Sequence, residues 1–208
     1  TEEPRASYTR RLVRSFVAAA ELACRPGVRN IELNFSSPNY GQSAMRVDSY
    51  VYSDPEIVSA VVAAVRQVSG ARRILVKIGI IESDYLLAEV LTAAAEAGAG
   101  AVVATNAQPM AVLSPDGETA FGPERGRVIA GASGTVVRES AMAFIERLAE
   151  MAKRRRNPLR VLACGGVMGP DDVERFRNAG ADYVLTATAA ICKPGLARSV
   201  NATTSVRE

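Results

Sequence analysis

The chain has 208 residues, 48% of them apolar and 23% charged, a length and balance that suit one globular domain with a sizeable core. A net charge of +3 is too small to argue for nucleic acid or an anionic membrane as partner, and no stretch of sequence is long and apolar enough to span a bilayer. Histidine is absent, which removes Ser-His-Asp chemistry and most zinc sites. The three cysteines, Cys24, Cys164 and Cys192, are scattered without metal-ligand spacing and read as reduced thiols of a cytoplasmic protein.

In chain order the pattern alternates helix and strand. Leu12, Phe16, Ala19 and Ala23 share one face of a helix over 8–23, which Gly27 closes. A strand over 30–35 follows, and the run Ser53-Asp54-Pro55-Glu56 carries a cap, a proline and an acid suited to a helix start. Next come a short apolar strand over 74–78, a helix over 83–97 with Gly98 past its end, and a strand over 101–105. Residues 107–134 are rich in Gly, Pro and charge and read as one long active-site loop. A helix over 136–155 ends in Lys153-Arg154-Arg155-Arg156, where cations complement the helix dipole and read as a solvated end. A strand over 160–163, a helix over 170–178 and a strand over 182–187 complete the pattern. Five short apolar strands separated by helices predict a parallel α/β fold.

Three strand ends carry side chains that suit a pocket. The segment Ile31-Glu32-Leu33-Asn34-Phe35-Ser36-Ser37-Pro38-Asn39 runs from an alternating strand into a stiffened turn. An asparagine both donates and accepts, so Asn34 and Asn39 together can read a planar polar ring, and Ser37 can accept a proton if a neighbour activates it. The plainer reading is a Ser/Asn turn after a strand. Lys77 interrupts the apolar run Ile74-Leu75-Val76-Lys77-Ile78. A lysine there either forms a Schiff base with a carbonyl substrate, places positive charge beside a cofactor ring, or snorkels to solvent. Thr105-Asn106 ends a third strand. Ser133-Gly134, Cys164-Gly165-Gly166 and Thr186-Ala187-Thr188 supply glycine-containing loops; in a barrel, the last two strand ends commonly hold a phosphate.

Together these segments resemble the dihydroorotate dehydrogenase family and its dihydropyrimidine dehydrogenase relatives. The signature Asn34-Phe35-Ser36-Ser37-Pro38-Asn39 is the most specific part, and the other motifs follow it in the family's order. The resemblance implies a (β/α)8 TIM barrel, typically about 250 residues long. On that reading the chain holds strands four to eight, and the first three βα units lie outside the sequence. Exposed strand edges then predict self-association into a homo-oligomer. The implied reaction is oxidation of a dihydropyrimidine, with Ser37 taking a proton and a hydride passing to FMN. By the same resemblance Asn34, Asn39 and Asn106 hold the pyrimidine. Asn34, Lys77, Thr105, Ser133, Gly134, Gly165, Gly166, Ala187 and Thr188 line the flavin and its phosphate. The chain departs from the family pattern with alanine at 107, 130 and 187. Branch features are mixed. Ser37 matches the quinone-linked branch, and Ser53-Asp54-Pro55-Glu56 looks like the soluble branches. Cys164-Gly165-Gly166-Val167 looks like the fumarate-linked one. The electron acceptor is thus open among fumarate, quinone and NAD. A uracil-type dehydrogenase, an incomplete flavoprotein subunit and a Lys77 Schiff-base lyase are the alternatives.

Overall fold

The computed structural model describes residues 5–36, 50–118, 120 and 129–205. Helix α1 (Arg5–Ala23) leads into strand β1 (Asn30–Asn34), and α2 (Pro55–Ser69) into β2 (Arg73–Lys77). Helix α3 (Asp84–Glu96) then precedes β3 (Ala101–Ala104). Two further strands, β4 (Gln108–Ala111) and β5 (Ile129–Ala132), come before α4 (Arg138–Lys153) and β6 (Arg160–Cys164). Helix α5 (Pro170–Asn178), β7 (Tyr183–Leu185), α6 (Thr188–Cys192) and α7 (Leu196–Ser205) complete the order.

Local chemistry sets these boundaries. The Asp54 side chain accepts from the N–H groups of Glu56 and Ile57 at 3.1 and 3.2 Å, and Pro55 takes the first helical position. Ser83 caps α3 by accepting from Leu86 N–H at 3.2 Å. At the far end of α4 the basic run is more than solvated. Arg155 donates to the Ala88 carbonyl at 3.1 Å and to the Thr92 hydroxyl, and Lys153 donates to the Gly180 carbonyl at 2.8 Å, so two of its cations fasten α4 to its neighbours.

Five strands form one parallel sheet in the order β1-β2-β3-β6-β7. Neighbours in space follow sequence order, and right-handed crossovers therefore place the connecting helices on one face. The register aligns Ile31 with Ile74, Val76 with Val102, and Val102 with Val161. These side chains pack beneath α2, α3 and α4, whose Val58, Val61, Val62, Val65, Leu87, Ile145 and Leu148 are fully buried. Phe16 of α1 meets Phe35 edge to face at 5.3 Å, docking the first helix against the end of β1. Burial alternates along β1, β2 and β6 rather than being continuous. The central strand β3 differs: it is apolar and buried at all its positions, as a parallel strand covered on both faces is.

Two sequence expectations change. Residues 107–134 are not one loop: β4 and β5 pair antiparallel within them, Gln108 opposite Ala132 and Ala111 opposite Ile129. The last strand is shorter than 182–187, because Ala187 already caps α6. Among the described residues the parallel sheet does not close, and β1 and β7 are its edges.

Candidate active site

The predicted side chains gather at the C-terminal edge of the parallel sheet. Asn34 ends β1, and its Oδ1 accepts from the Ser36 N–H at 3.1 Å, turning the chain as an Asx turn does. The Phe35 N–H and the Ser36 hydroxyl both donate to the Lys77 carbonyl, at 3.0 and 3.3 Å. Asn106 Nδ2 donates to the Ser36 carbonyl at 3.1 Å, and the Asn106 N–H donates to the Ile78 carbonyl at 3.2 Å. Three strand ends are thereby stitched into one rim. Ser36 is buried and belongs to that stitching. Ser37 and Asn39 lie outside the described residues.

The rim continues across β6. The Thr105 N–H donates to the Cys164 carbonyl at 2.6 Å, its hydroxyl donates to the same oxygen at 3.3 Å, and the Cys164 thiol returns a bond to the Thr105 carbonyl at 2.8 Å. Thr105 is buried, so its hydroxyl serves the rim. Burial pushes the Cys164 thiol up to about 11, against the pull of the Lys77 cation and with Glu32 adding to the rise. Cys164 is therefore protonated at neutral pH and is no nucleophile there.

Lys77 alternates with the helix-facing Val76, so it sits on the sheet face away from the helices. Its ammonium lies 3.5 Å from Glu32 Oε1 and its side chain is 23% exposed. Glu32 was not among the residues singled out from the sequence. The signal was present in the alternation Ile31-Glu32-Leu33-Asn34, which puts Glu32 on the face of Asn34. The inter-strand register that brings it to Lys77 was not.

The glycine loops meet one another. Gly134 has φ +85°, and a Cβ there would lie 3.5 Å from the Thr188 methyl and 3.8 Å from its hydroxyl. At Gly166, φ is +75° and a Cβ would fall 2.8 Å from the Gly134 carbonyl and from Arg138 Cβ. A Cβ on Gly165 would fall 2.5 Å from Ala141 Cβ. Gly165 and Gly166 are required so that the loop after β6 can lie against α4. Arg138 holds it there: its Nε donates to the Gly166 carbonyl at 2.9 Å and lies 3.2 Å from Asp172 Oδ1. Asp172 Oδ2 in turn accepts from the Met168 N–H at 2.8 Å. Ser133 and Ala187 are exposed beside this cluster, and Thr188 is half-buried. Ala130, the other departure in this region, sits inside β5 opposite Met110. The Arg138–Asp172 brace was not legible in sequence, because its members are 34 positions apart.

The open groove lined by Arg5, Arg10, Val13, Arg14 and Glu56 lies between α1 and α2, on the helical side, and holds none of these residues. Among the described residues no helix is long and apolar enough to cross a membrane.

The chain resembles known proteins in sequence and in fold. The family model described as dihydroorotate dehydrogenase covers residues 6–201. The dihydroorotate dehydrogenase of Dictyostelium discoideum is 25% identical over 195 residues, 92% of this chain and 51% of that protein. The catalytic subunit of dihydroorotate dehydrogenase B (NAD(+)) from Methanopyrus kandleri is 32% identical over 186 residues, 87% of this chain and 52% of that protein. Other relatives are named for quinone or fumarate. A crystal structure of the Eimeria tenella dihydroorotate dehydrogenase in complex with ferulenol superposes with a TM-score of 0.65 at 17% identity, over 88% of this chain and 51% of that one, a likeness of fold. The chain spans about half the length of these relatives. It belongs to the dihydroorotate dehydrogenase family.

Proposed function

We propose that this chain carries the substrate- and flavin-binding half of an FMN-dependent oxidoreductase that converts a dihydropyrimidine, dihydroorotate, to its unsaturated product. The observation that carries the reading is the convergence of Asn34, Lys77 and Asn106 on the same sheet edge as Gly134, Gly166 and Thr188. One group of side chains suits a planar polar ring and the other suits a phosphate, and FMN has both.

The donor set fits. Gly134, at φ +85°, lies against Thr188, so its backbone N–H and the Thr188 hydroxyl are neighbouring donors that would hold a phosphate oxygen. Lys77 would place a cation beside the flavin ring, and the Asn34 and Asn106 amides would orient the substrate ring. FMN, when held there, would supply the two-electron acceptor for the hydride from C6 of the dihydropyrimidine. Ser37 takes the proton from C5, so two electrons and one proton leave with the hydride and the second proton leaves through the chain. Serine is a weak base at neutral pH, and a neighbouring water or side chain must accept its proton. The five strands serve as strands four to eight of a (β/α)8 barrel, and 107–134 as the segment that covers the site. The acceptor that reoxidises the flavin is fumarate, quinone or NAD, and a uracil-type ring uses the same asparagines.

A second reading is favoured by the two sheet edges that have no partner strand among the described residues: a flavoprotein part that binds cofactor only when further strands complete the sheet. The visible spectrum of the purified chain, mixed with FMN and freed of unbound flavin, separates the two. A retained flavin band, with turnover of dihydroorotate that Ser37→Ala abolishes, supports the oxidoreductase. Folded protein that retains no flavin supports the second reading.

A further inference from the structure

Glu32 stands on the sheet face where a carboxylate is least expected. The register pairs Asn34 with Lys77 and Glu32 with Leu75, so Glu32 lies diagonally behind Lys77, midway along the edge strand β1. Its Oε1 is 3.5 Å from Lys77 Nζ. A lysine has four side-chain torsions, and at the end of a strand it can extend over the rim or lie back along the face. The Glu32 contact is of the second kind, with the ammonium turned back along the face toward Glu32. Both charges also bear on the Cys164 thiol at the end of β6, Lys77 lowering its pKa and Glu32 raising it, each less than burial does. An exposed ion pair contributes little to stability, so a small energetic role would leave this pair without consequence. Its place on the polar face of the sheet, beside the residues proposed to hold the flavin, gives it one.

We propose that Glu32 is a positioning residue for the cofactor: through its ion pair it keeps the Lys77 ammonium on the floor of the site and moderates the positive charge presented to the flavin. The inference rests on the reading of the site as flavin-binding. A carboxylate that shares the ammonium weakens the field felt by a ring that becomes electron-rich on reduction. Removing the carboxylate therefore favours the reduced form.

The test uses the full chain as wild type, Glu32→Gln, Glu32→Asp, Lys77→Gln and the Glu32→Gln/Lys77→Gln double variant. The affinities of each for oxidised and for dithionite-reduced FMN are measured by fluorescence. Glu32→Gln should raise the ratio of reduced to oxidised affinity roughly ten-fold, about 30 mV for a two-electron couple. Lys77→Gln should lower it, and Glu32→Asp should stay near wild type. In the Lys77→Gln background the Glu32→Gln change should have no further effect, which a general structural role would not produce. A flavin-free readout accompanies this one. With Cys24 and Cys192 replaced by serine, the ultraviolet thiolate absorbance of Cys164 should titrate lower in Glu32→Gln and higher in Lys77→Gln. If wild-type protein holds no FMN, the functional reading fails and this inference falls with it. If wild type holds FMN and Glu32→Gln moves neither the affinity ratio nor the Cys164 titration, the inference alone is overturned.

Discussion

The helix-facing side of the sheet carries Ile31, Leu33, Ile74, Val76, Val161 and Ala163, all buried, whereas the opposite side mixes Asn30, Glu32, Asn34, Arg73, Lys77 and Tyr183 with the apolar Leu75, Leu162 and Leu185 and the buried Val103. The same strands supply both faces, so a single backbone alternation separates stability from chemistry. The first face obtains its free energy from apolar area removed from water. The second keeps polar groups available at its C-terminal edge, and its hydrogen bonds there run between strand ends rather than within a core.

The largest expected effects break that comparison most directly. Ile74→Ala and Leu148→Ala, each fully buried in the wild type, should cost about 2–5 kcal/mol in urea denaturation. Tyr183→Ala on the open face, where the ring is 60% exposed, should change the midpoint by about 0.5 kcal/mol or less. A Tyr183→Ala cost comparable to that of Ile74→Ala would mean the second face is covered in solution. Next in size is Gly166→Ala. Its φ of +75° and the 2.8 Å approach to the Gly134 carbonyl predict a loss of about 1–3 kcal/mol, together with weaker FMN retention measured by fluorescence. Asp172→Ala leaves the Met168 N–H without its acceptor and Arg138 without its partner carboxylate, at a cost of about 1–3 kcal/mol by the same denaturation.

The smallest effect is one of pH. Burial pulls the Asp182 carboxyl upward, but the Val161 N–H at 2.8 Å and Arg160 at 2.7 Å outweigh it and hold the group below its usual range. A lowered folded-state pKa contributes stability above the unfolded value of about 3.9, and that contribution fades as pH falls through the lower folded value. The difference in stability between wild type and Asp182→Asn should therefore be constant near neutrality and shrink below about pH 4, read by thermal unfolding across pH.

The two faces were unequally legible in the sequence. Alternation of apolar strands with capped helices gave the five parallel strands, and Asp54 and Ser83 cap the helices that their local chemistry indicates. Strand-terminal asparagines and lysine were legible because polar residues stand out in apolar runs. The β4–β5 pair was not, since its two four-residue strands are separated by 17 positions and contain Pro109 and Gly131. Those features erase the local turn and alternation signals of a hairpin. The partners of the recognised residues were hidden for a related reason. Glu32 meets Lys77, and Arg138 meets Asp172, only through tertiary register.

The central claim is that the sheet edge holds one molecule with a ring and a phosphate. It is tested most directly by comparing the affinities of the full chain for FMN and for riboflavin, which differ by the phosphate alone. The account predicts that FMN binds, that riboflavin binds at least ten-fold more weakly, and that Gly166→Ala removes the difference. Equal affinity for the two, or retention of neither by folded protein, would contradict it.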